Sequence, residues 1–112
     1  MTDLRKYKDI VMAAVAKERE ADENWSWNVK AVNKSEIRIG WGYLDYIGEK
    51  DPFTVTVDTD TDPDTPFVTG TIPNGSKVYA IVGPNHWDDY DSIEKAIAGV
   101  IHRMACSAHN TY

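Results

Sequence analysis

Trp25-Ser26-Trp27-Asn28-Val29-Lys30-Ala31, taken with Ile37-Arg38-Ile39-Gly40-Trp41-Gly42-Tyr43, decides the fold. In the first run every odd position is apolar and every even one polar. The second resumes the pattern after a polar corner at Asn33-Lys34-Ser35, with Ile37, Ile39, Trp41 and Tyr43 alternating against Glu36, Arg38, Gly40 and Gly42. A period of two on both sides of a short turn is the mark of an antiparallel hairpin with one buried face. Three of the four tryptophans lie on that face, which makes it the expected anchor of the core.

On the N-terminal side, Leu4, Tyr7, Val11, Ala14 and Val15 recur at three- and four-residue spacing, with Ile10 and Met12 flanking them. This spacing predicts a helix from about Asp3 to Glu20, capped by Thr2. The charged residues from Glu18 to Glu23 read as a solvated face and an exit loop. On the other side, Gly48-Glu49-Lys50-Asp51-Pro52 is a break. Phe53, Val55 and Val57 then alternate with Thr54, Thr56 and Asp58 as a third strand.

An aspartate-rich loop separates this strand from a fourth, Phe67 to Ile72, which Gly70 interrupts. Pro73-Asn74-Gly75-Ser76 is a tight turn, its Asn-Gly suited to positive φ. Val78 to Val82 is apolar on both faces, so it is expected to be central or covered on both sides. After Gly83-Pro84-Asn85, the last helix is expected to open at Asp91, with Glu94 at capping-box spacing. Its stripe is Ile93, Ala96, Ile97, Val100, Ile101, Met104 and Ala108. The order predicts one α+β domain over residues 1–112: an N-terminal helix, an antiparallel sheet of about five strands, and a C-terminal helix. Short turns favour a meander with both helices on one side of the sheet.

Composition narrows the function classes. A chain of 112 residues is long enough to bury a core without disulfide or metal staples. The single cysteine, Cys106, fits a reducing compartment. The longest apolar run, Ile10 to Ala16, is seven residues and far too short to cross a bilayer. Arg5, Lys6 and Lys8 before it and Ala14-Val15-Ala16 within it imitate a secretion signal. Asp3 and Asp9 dilute the basic region, so the run is expected to be a helix of a cytoplasmic protein.

The net charge of −6 is unevenly spread. Residues 1–50 balance nine Lys/Arg against nine Asp/Glu, whereas residues 51–112 set three against nine. A surface of that sign repels phosphate backbones and attracts basic proteins, steering the encounter at low salt.

Three constellations invite a chemical reading. Asp58, Asp60, Asp62 and Asp64 alternate like the start of a calcium loop, but Pro63 and Thr69 stand where the turn glycine and the bidentate glutamate belong. His102, Cys106 and His109 share one helix face and are zinc-ligand types, yet no second pair of Cys or His completes a tetrahedral set. His86 with Asp88, Asp89 and Asp91 pairs an imidazole with carboxylates, although those carboxylates suit the start of a helix. No nucleophile elbow, Walker loop, dinucleotide fingerprint or metalloprotease motif is present. The expectation is a protein that is not an enzyme and uses no metal or cofactor.

In size, charge and element order, with the aspartate-rich stretches 58–64 and 88–91, the chain resembles small acidic proteins of phages and mobile elements, the anti-CRISPR proteins among them. Acidic immunity proteins that neutralise nucleases share these features. The resemblance implies an inhibitor that occupies the basic surface of a nucleic-acid-binding effector or nuclease, as a monomer or homodimer, without touching nucleic acid or membrane. The expected partner-binding residues are Asp58, Asp60, Asp62, Asp64, Asp88, Asp89 and Asp91, with Trp87 or Tyr90 as an exposed aromatic anchor. The alternatives are a phage structural or accessory domain that self-associates along a sheet edge or helix face, and a small metal-binding module.

Overall fold

A computed structural model describes residues 3–43, 46–47, 51–58, 66–84 and 88–111, with residues 46, 47 and 111 described by their backbone alone. A 3-10 turn, Leu4–Tyr7, leads into α1, Lys8–Ala21. Six strands follow: β1 Trp25–Val32, β2 Ile37–Tyr43, β3 Tyr46–Ile47, β4 Phe53–Asp58, β5 Phe67–Thr71 and β6 Lys77–Ile81. Helix α2, Ile93–Thr111, closes the described chain. The sheet runs β1-β2-β4-β5-β6 with every pairing antiparallel, and the short β3 pairs with the far end of β2. The expected α+β architecture and meander are therefore present.

Both helices lie on one face of the sheet, α1 over β1 and α2 over β4 to β6, and they touch each other. Beneath them the inward positions of the strands form the core: Trp25, Trp27, Ile37, Ile39, Trp41, Phe53, Val55, Val68 and Ala80 are all buried. Trp25 is the hub of the aromatic cluster. Its ring centroid is 5.1 Å from Trp27, 5.8 Å from Trp41 and 5.0 Å from Tyr43. Phe53 meets Trp27 and Trp41 edge-on at 5.1 and 5.8 Å, an arrangement that places ring edges on ring faces. From the end of α2, His109 lies against Trp25 at 4.8 Å.

Five local expectations are corrected. Asp3, not Thr2, caps the first helical segment, its side chain accepting from Arg5 N–H at 3.0 Å. Ser92, not Asp91, caps α2, its hydroxyl accepting from Lys95 N–H at 3.2 Å. A bulge between Val29 and Ala31 breaks the alternation of β1, so Ala31 pairs with Arg38, and Val32 opposite Ile37 takes the inward place. A two-residue strand, β3, forms where none was expected. The fifth predicted strand, β6, is not central but ends the sheet, which leaves Tyr79 and Ile81 exposed on the helix-free face.

Candidate functional site

Asp58, the described residue of the first acidic stretch, and Asp89 of the second lie on one row at one end of the sheet. Asp58 ends β4 opposite Phe67 of β5, and Phe67 is opposite Ile81 of β6. The backbone carbonyl of Ile81 accepts from Asp89 N–H at 3.0 Å and from Tyr90 N–H at 3.2 Å. The row Asp58–Phe67–Ile81–Asp89 thus crosses three strand spacings, about 14 Å. Asp60, Asp62, Asp64, His86 and Trp87 lie outside the described residues, and so does the calcium reading of residues 58–64.

The chain between α2 and β6 is held to the sheet by backbone geometry. Val82 pairs in parallel with Tyr90. Gly83 N–H donates to the Tyr90 carbonyl at 3.0 Å, and Ile81 N–H donates to Asp89 Oδ2 at 2.8 Å. Asp89 therefore closes the edge of β6 with its side chain as well as its backbone. Asp88 folds over Gly83, where an added Cβ would collide with its carboxylate. Asp91 pairs with Lys95 at 3.1 Å across one helical turn. Together with Pro84 and Tyr90 these groups line a shallow depression that carries three carboxylates, those of Asp88, Asp89 and Asp91.

Of the three cationic side chains in residues 51–112, none removes the negative character of this end. Lys95 is paired with Asp91, Arg103 is bound to the Tyr79 carbonyl at 2.8 Å, and Lys77 starts β6 at the opposite end. The apolar component differs from the expected one. Tyr90 is half-buried, with its hydroxyl against Gly99 of α2, so it is a packing residue. Exposed apolar area is supplied by Ile81, 48% accessible, and Tyr79, 53% accessible, with half-buried Phe67 opposite Ile81. Sequence reasoning missed this strip because β6 was expected to be covered. Its double-sided apolar pattern suits an exposed edge as well as a central strand.

The helix-face trio separates. His109 packs on Trp25 and stands 3.6 Å from Asp22. His102 Nδ1 lies 2.7 Å from Glu18 Oε1, and Cys106 Sγ lies 3.6 Å from His102 Nε2. Glu18 and Cys106 sit on opposite nitrogens of one ring, so no single point reaches all three. No cluster of three or more metal-ligating side chains occurs among the described residues. Glu18, expected in a solvated face, is only 8% exposed. The signal was present, since residue 18 continues the three- and four-residue spacing of Val11, Ala14 and Val15.

No described helix is long and apolar enough to cross a membrane. Comparison with protein-family models, with curated proteins and with solved structures gave no match.

Proposed function

We propose that the chain is a non-enzymatic binding protein, of the inhibitor type, that docks the acidic end of its sheet on a positively charged protein surface. The observation that carries this reading is the Asp58–Phe67–Ile81–Asp89 row. It sets Asp58 and Asp89 on either side of an exposed apolar strip made by Ile81 and Tyr79. Carboxylates at the rim steer a cationic partner and fix its orientation. The desolvated aromatic and aliphatic contact beside them supplies the binding free energy that exposed charge pairs lack. A surface that binds Lys and Arg in this way competes directly with phosphates for the same groups.

The test reverses charge away from the Asp89–Ile81 bond. Asp60→Lys, Asp62→Lys and Asp64→Lys together leave Asp89 on its Ile81 N–H. Proteins retained from host lysate by the immobilised wild-type chain are expected to be basic, to elute as salt rises, and to be lost with this triple variant. Tyr79→Ala is expected to weaken the same retention by more than about 1 kcal/mol. Undiminished capture by the charge-reversed chain would rule the reading out.

Self-association, the alternative, draws on the opposite signs of the outer sheet face. Lys30 lies across Gly40 on the β1–β2 side of that face, where Arg38 is paired with Glu36, while Asp58 lies on the other. Light scattering at several concentrations separates the two readings.

A further inference from the structure

The Glu18–His102–Cys106 row joins two helices and lies apart from the acidic end of the sheet. Glu18 and His102 are 84 residues apart in the chain, and their 2.7 Å contact ties α1 to α2. The neutral tautomer that satisfies this contact carries its hydrogen on Nδ1, which donates to the carboxylate. The lone pair is then on Nε2, the nitrogen that faces Cys106 Sγ at 3.6 Å one helical turn further on. Burial holds Glu18 in place, while the thiol is exposed. Nucleophile, base and orienting carboxylate follow one another in the order that activated nucleophiles require.

We infer that Cys106 is a nucleophilic thiol with His102 as its general base and Glu18 as the residue that positions the base, and that it reacts with small disulfides. Acyl transfer does not suit the site. That chemistry needs donors for an oxyanion, and the backbone N–H groups around Cys106 are already bonded within α2. Displacement at sulfur has no such requirement. As Sγ attacks one sulfur of the disulfide, its proton passes to His102 Nε2 and the old S–S bond breaks. The departing thiolate takes that proton, and Cys106 remains as a mixed disulfide. One disulfide is consumed and one thiol released, with no other oxidant involved.

The full chain has one cysteine, so labelling reports a single site. The probe is 5,5′-dithiobis(2-nitrobenzoic acid). The control, Cys106→Ser with Asn110→Cys, moves the thiol one turn along α2, away from the base. The wild-type chain is expected to react with this probe at least about a hundredfold faster than the control, the low end of what a positioned base contributes. His102→Gln should fall to the control rate, and added imidazole should restore the rate of His102→Ala.

Glu18→Gln keeps an acceptor for Nδ1–H and should retain most of the rate, whereas Glu18→Leu should lose it with the helical circular dichroism unchanged. A wild-type rate equal to that of the control, or an unchanged rate in His102→Gln, would overturn the inference.

Discussion

Arg103 of α2 donates from Nη1 to the backbone carbonyl of Tyr79 at 2.8 Å, reaching from the helix layer to the outer strand β6. Arg19 of α1 does the same at the other end of the sheet, donating from Nε to the Trp27 carbonyl of β1 at 2.9 Å. These are the two end strands of the sheet order. An end strand carries backbone groups that can pair with another molecule, and an inward-reaching charge blocks that route.

Arg103→Met keeps the apolar stem and removes the donor. The variant is expected to lose about 1 kcal/mol of stability and to gain concentration-dependent association by light scattering. Arg19→Met should behave in the same way through β1. A variant that scatters like the wild-type chain at every concentration would show that the arginines do not protect the edges.

Trp27 and Trp41 are equally buried but differ in their polar ends. Trp41 Nε1 donates to the Asp51 carbonyl at 3.1 Å, whereas Trp27 Nε1 is buried without a partner among the described residues. Truncation of either to Ala should cost about 3–5 kcal/mol in urea unfolding. Replacement by Phe should distinguish them, with Trp27→Phe costing at least about 1 kcal/mol less than Trp41→Phe, because only the latter breaks a hydrogen bond.

Gly99→Ala should destabilise the protein even though alanine is the better helix former. The space for its Cβ is occupied by the Tyr90 hydroxyl. The expected net loss is about 1–3 kcal/mol, measured as a fall in the urea midpoint. Since Tyr90 seats the chain that carries Asp88 to Asp91, the variant should also weaken capture of a basic partner. Gly99→Ala combined with Tyr90→Phe, which removes the colliding oxygen, should recover part of both losses.

Asp3 titrates with a midpoint of about 2, below its ordinary value of 3.8, chiefly because the Arg5 side chain hydrogen-bonds to it and secondarily because Arg5 N–H does. A depressed carboxyl keeps its pairing above the ordinary carboxylate range and loses it as pH falls through about 2. The cap on Leu4–Tyr7 should therefore survive mild acid and open only at the lower value. Carboxyl NMR titration measures this directly, and Arg5→Gln should return the midpoint toward 3.8.

Where the sequence was easy to read, one local pattern coincided with one buried face. The strands Ile37–Tyr43 and Phe53–Asp58 came out at their expected places because alternate residues of a strand point to opposite sides. The same rule failed at Lys30, where a bulge inserts a residue without altering composition. It also misjudged Lys77–Ile81, since apolar residues on both faces fit a covered strand and an exposed edge alike. Asp89 was legible as an acid beside a helix, but not as the closing acceptor for Ile81 N–H. That bond exists only because the chain returns to β6.

Hairpin, element order and the side of each strand that faces the core follow from residue periods, because backbone geometry converts a period into a face without help from distant residues. The alignment of Asp58 and Asp89 on one row across the sheet, the outer position of β6, and the Glu18–His102–Cys106 row follow from strand order and helix packing. Those contacts join residues far apart in the chain, and no local period encodes them.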